Sequence, residues 1–140
     1  MSGKNRSNVL LVEILIALFF FMLSATILVR VFAAARNMSV RSGVETAALA
    51  SAQNTADVIC AADDVDAALE AMDFDSAHGV WTKDCGEYSL YVQGGIEPAE
   101  NGSFWRGEVR AYYKKRGDEG QRSDEEMFAL PCLRYREAEA

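Results

Sequence analysis

One acidic side chain stands where a charge is expensive. Glu13 is the only charged residue among the 21 residues of Val9–Val29, VLLVEILIALFFFMLSATILV. A carboxylate at the centre of a membrane span costs about 2.5–3.5 kcal/mol, and less toward its end. It therefore asks for a cation or a proton. The bland alternative is that Glu13 reaches water at the headgroups and does nothing more. The remaining reactive groups are sparse. Cys60, Cys85 and Cys132 form no CxxC pair, which is a poor metal signature. Outside the cytoplasm two of them can pair; the alternative is three isolated, mostly buried thiols. Cys85 precedes a strand and Cys132 lies in the last one, so these two are the expected disulfide. The single histidine, His78, has no Cys or His nearby, and metal sites need several convergent donors. No metal and no cofactor is expected. No GxSxG, P-loop or HExxH motif occurs, so no enzyme is expected either. The acidic runs Asp63-Asp64-Val65-Asp66 and Asp124-Glu125-Glu126 lack the spacing of a calcium loop and read as solvated surface. Trp81, Trp105 and the tyrosines read as sheet packing rather than a ligand platform.

Two kinds of chain must position these groups. Val9–Val29 would make about 31 Å of helix, close to the thickness of a bilayer core. Its flanks are basic. Residues 1–45 hold Lys4, Arg6, Arg30, Arg36 and Arg41 against Glu13 and Glu45, a net +3, which leaves −10 on the rest of a chain whose formal charge is −7. Basic flanks suit anionic lipid headgroups. The acidic remainder repels phosphate backbones, so no nucleic-acid partner is expected.

No proline occurs before Pro98, and Gly43 is the only glycine within Val9–Ala62. One helix can therefore run from Val9 to about Ala62. Leu49, Ala52, Ala56 and Ile59 make a narrow stripe on it that a sheet would cover. Residues 61–74 read as a short second helix, capped by Asp63 or Asp64, with Val65, Leu69 and Met72 as its apolar side. From Gly79 the period changes to two. Val80–Thr82 is a short strand; Tyr88, Leu90 and Val92 alternate with polar neighbours, and so do Trp105, Gly107, Val109, Ala111 and Tyr113. Gly94-Gly95 reads as a bend, 98–102 as a turn, 116–126 as a mobile loop and 127–135 as a last strand, with Pro131 at an edge or bulge. The expected fold is α+β: a long N-terminal transmembrane helix continuing into a small domain with a 3–4 stranded antiparallel sheet packed on its C-terminal half. The expected boundaries are a basic stub at 1–8, a span at 9–35, a helical continuation at 36–62 and an α+β domain at 63–140.

Residues Asn8-Val9-Leu10-Leu11-Val12-Glu13-Ile14-Leu15-Ile16-Ala17-Leu18-Phe19 resemble the N-terminal segment of type IV prepilins and pseudopilins. The resemblance implies that Lys4 and Arg6 belong to a short leader, that Val9 is the first mature residue, and that Glu13 is the fifth-position glutamate. In that family the glutamate neutralises a neighbouring subunit's N-terminal amine during assembly. The family's leader ends in glycine, whereas Asn8 stands at that place, so processing between Asn8 and Val9 is expected to be slow or absent. The function implied is structural: a minor pilin or pseudopilin of a type IV pilus, a type II secretion pseudopilus or a competence filament. Its partners would be other pilin-like subunits, membrane lipid and an assembly platform. It would sit as a single-pass protein in the cytoplasmic membrane. The positive-inside count is ambiguous, and the resemblance alone places the N-terminus inside and the C-terminal domain outside. Two rivals remain. One is a signal-anchored domain with a binding role and no filament. The other is a cleaved signal peptide ending near Ala33-Ala34-Ala35, against which stand the length of the apolar run, Glu13 and Arg30.

Overall fold

A computed structural model describes residues 2–116 and 122–137. Its elements are α1 (Ser2–Ala61), α2 (Val65–Ala71), β1 (Asp75–Ala77), β2 (Val80–Asp84), β3 (Tyr88–Ala99), β4 (Gly102–Arg116) and β5 (Arg122–Glu137). The chain divides into two units, Met1–Arg41 and Ser42–Ala140.

The first unit is helix alone. Its described large apolar side chains are all exposed, from 45% at Leu23 to 74% at Met38. An ordinary surface helix buries one apolar stripe and wets the other side. Here the large apolar side chains of Val9–Val29 are exposed on every side of the helix. This is one helix near the N-terminus long and apolar enough to cross a membrane. Its few hydroxyls are satisfied from within. Ser24 donates to the Phe20 carbonyl and Thr26 to the Met22 carbonyl, both at 2.9 Å, which removes most of their cost in an apolar medium.

The second unit has a core of its own. From α1 it takes Val44, Ala48, Ala52, Thr55 and Ile59, all buried at the spacing of one helical face. Ala48, Ala52 and Ile59 join Leu69, Phe74, Leu90, Val92, Val109, Ala111 and Cys132 in one cluster. Small alanines let the sheet come close. The expected stripe is corrected at one position: Leu49 is 38% exposed, and Ala48 holds the place assigned to it. Ser51 and Tyr88 tie the helix to the start of β3 through a 2.7 Å hydrogen bond between their hydroxyls.

Helix α2 is shorter than the expected 61–74, because α1 runs on to Ala61. Asp64 is its cap, accepting from the Asp66 and Ala67 amides at 3.0 and 3.3 Å. Its end is closed by Asp73 in the left-handed region, φ 61°. The Asp73 amide donates to Glu70 and the Phe74 amide to Leu69, both at 3.1 Å. Phe74 and Leu69 are both buried, the apolar contact that accompanies this closure.

The sheet is a meander in the order β1-β2-β3-β4-β5, every pair antiparallel. It has five strands rather than three or four. β1 is three exposed residues with no apolar alternation to announce it. It is joined to β2 by His78-Gly79, both at positive φ (53° and 79°), the two-residue turn that matches strand twist. Pro98 lies past the last β2–β3 pair at Gln93, and Pro131 is on the edge strand, so each stands where its strand is paired on one side only, with β4. The expected loop at 116–126 is corrected in part: 122–126 pair with 112–116, while 117–121 lie outside the described residues.

Candidate functional site

In the first unit, Asn5, Arg6, Val9, Leu10 and Glu13 line one shallow groove. The cause is helical spacing. Steps of three, four and seven residues return to the same face, and Arg6 sits about 10.5 Å along the axis from Glu13, two turns toward the N-terminus. No ion pair or hydrogen bond to Glu13 occurs among the described residues, and it is exposed. Asn8 and Val9 are helical like the rest, so the expected processing position lies within α1. The side chain of Lys4 lies outside the described residues.

The second unit carries a cleft of about 400 Å³ at the end of the sheet beyond α1. Asp63, Asp64, Asp66, Ile96, Trp105, Arg134 and Arg136 are among its lining residues. A Nη of Arg134 lies 3.4 Å from the Asp63 carboxylate, and Arg136 donates to the Asp63 carbonyl at 3.2 Å. Residues 132, 134 and 136 share one face of β5, and the last two close over the chain just after α1. The Trp105 indole needs a flat floor, which Gly94 and Gly107 supply. These glycines are paired across β3 and β4. A Cβ on Gly94 would meet Trp105 Cζ2 at 2.5 Å, and one on Gly107 would meet Cη2 at 2.5 Å. The expected bend at Gly94-Gly95 is therefore corrected: β3 runs through it. Ile96 remains 75% exposed beside the indole.

The chain matches no family model, no curated protein and no solved structure.

The other predicted site residues fall elsewhere. The pairing of Cys85 with Cys132 is not formed; all three cysteines are free thiols. The register explains why. Cys85 follows the Asp84↔Ser89 pair, whereas Cys132 faces Gly107, which faces Gly94. Five residues of strand, about 16 Å, separate those two levels, against the 4.4–6.8 Å between Cα atoms that a disulfide spans. His78 is a turn residue. Among the described residues no cluster of His, Cys, Asp and Glu could hold a metal. Arg134 and Arg136, which both reach Asp63, escape the sequence reading: it places 127–135 in a last strand, but nothing local marks a partner more than 70 positions away.

Proposed function

We propose that this chain is a pilin-like structural subunit, a minor pilin or pseudopilin of a type IV pilus, type II secretion or competence filament. One observation carries the reading. A carboxylate stands in an apolar run of helix and has no ion-pair or hydrogen-bond partner among the described residues. In hydrocarbon such a group is stabilised by a cation brought by another molecule, and an assembly of parallel copies brings one per subunit. That cation is the amine at Val9 if the leader is removed. If the leader stays, Arg6 lies on the same face and serves a neighbour displaced along the helix axis. The span anchors the subunit in the cytoplasmic membrane before assembly and becomes filament core afterwards. The N-terminus is inside, and the acidic α+β unit faces out. Its partners are other pilin-like subunits, membrane lipid at the basic flanks and an assembly platform; catalysis is no part of the role.

A second reading, a membrane-anchored domain with a binding role and no filament, draws on the cleft around Trp105 and Ile96. Co-expression with a complete filament machine separates the two. An epitope-labelled chain should appear in the sheared filament fraction. Retention of all of it in the membrane, with filaments present, would favour the anchored binding domain.

A further inference from the structure

Three thiols remain without a role, and two of them lie on elements that pack together. Cys60 is exposed on the last turn of α1, one turn beyond Ala56. Ile59, its neighbour, is wholly buried, and Ala56 is half-buried against the same cluster. Cys132 belongs to that cluster too, on the helix-facing side of β5. The next two residues on its face, Arg134 and Arg136, reach Asp63, three residues after Cys60. The pair is thus bracketed: Ile59 and Cys132 share one core cluster with Ala56 packed against it, and Asp63 meets the arginines just after. Cys85 is at the turn between β2 and β3, at the opposite end of the ladder.

We propose that Cys60 and Cys132 form a disulfide under oxidising conditions, clasping the end of α1 to the edge strand β5, and that Cys85 is the odd thiol. The electrostatics agree with the placement. Burial pushes the Cys132 thiol above its ordinary range, and the nearby Cys60 and Asp57 push it the same way. A buried thiol held protonated does not start the reaction, so the exposed Cys60 does. Its thiolate, having released a proton, attacks the disulfide of an oxidant of the glutathione-disulfide or disulfide-oxidoreductase class. A mixed disulfide forms and one thiol leaves the oxidant. Cys132 then gives up its proton and attacks the Cys60 sulfur, and the second oxidant thiol leaves. Two thiols of this chain are oxidised and one disulfide of the oxidant is reduced. The inference does not rest on the filament reading, since it concerns the second unit alone.

The test uses the full chain in detergent, incubated with glutathione disulfide, then denatured for thiol counting and unreduced peptide mapping. Titratable thiols should fall from three to one, the survivor being Cys85, with a linked peptide pair joining Cys60 to Cys132. Cys60→Ser, at an exposed position that does not threaten folding, should abolish the linked pair. Three free thiols, a linkage that includes Cys85, a bridge between two chains, or a stable mixed disulfide at Cys60 would each overturn the proposal.

Discussion

Adding one methyl group at Gly107 or Gly94 should unseat Trp105, whereas the same change at Gly95 should not. At Gly107 the new Cβ would stand 2.5 Å from Trp105 Cη2, 2.6 Å from the Gln93 carbonyl oxygen and 2.8 Å from the Gly94 Cα. Two of those three atoms are backbone in a paired ladder and cannot step aside. At Gly94 the two nearest atoms belong to the indole, at 2.5 and 2.7 Å, with the Arg106 oxygen at 2.8 Å. The indole can move only by giving up its floor and its packing on the core. Overpacking of this kind costs about 1–3 kcal/mol, which in a domain of this size lowers the melting temperature by roughly 4–8 °C per kcal/mol. Gly95 has nothing within 4 Å, and alanine there removes unfolded-state freedom, so its effect should lie near zero or be stabilising by up to about 1 kcal/mol. Thermal unfolding of the full chain in detergent, followed by far-ultraviolet circular dichroism and by tryptophan emission, gives the ranking. Gly107→Ala should melt first, Gly94→Ala next, and Gly95→Ala with or above the wild type. Equal melting temperatures for all three would refute the seat of Trp105 and the path of β3 through Gly94-Gly95.

Topology and processing give two further outcomes. Protease added to spheroplasts should digest the second unit and leave a protected fragment the size of the span; release of an intact domain beginning near Arg36 would favour a cleaved signal peptide instead. N-terminal sequencing of membrane-extracted protein should find mainly the uncut chain, and Asn8→Gly should raise cleavage before Val9; efficient wild-type cleavage there would contradict the reading of Asn8.

Local patterns carried much of this fold. The apolar run needs only composition, Val80–Thr82 reads as a short strand, and β3 and β4 announce themselves by period-two alternation over Leu90, Val92, Val109 and Ala111. What escaped was non-local. A Gly-Gly pair is a turn signal by itself; that Gly94 makes room for Trp105 depends on a residue eleven positions away and on a second glycine across the ladder. Ser123 to Glu126 look like loop because they are polar. Their cross-strand partners are Lys115, Lys114, Tyr113 and Tyr112, so two acidic residues meet tyrosines and one meets a lysine across the pair. The Tyr112 hydroxyl donates to the Glu126 carboxylate at 3.1 Å. A bulge between Ala111 and Tyr112 then lets β5 pass Met127 and bring Phe128 opposite Ala111, which breaks the alternation that would have extended the strand. Glu13 was legible as a costly charge. Arg6, read as leader, shares its face only because seven residues make two helical turns.

The central claim is that Glu13 serves assembly and not anchoring, and one measurement bears on it most directly: membrane level and filament incorporation of Glu13→Leu and Glu13→Gln, determined separately. A carboxylate in a span opposes insertion by up to about 2.5–3.5 kcal/mol, so both variants should reach the membrane at least as well as the wild type. If the carboxylate recruits a neighbouring subunit's cation, both should nonetheless be lost from the sheared filament fraction and from cross-links between copies. Normal membrane level with lost incorporation is the predicted result. Two variants that insert and incorporate like the wild type would contradict it.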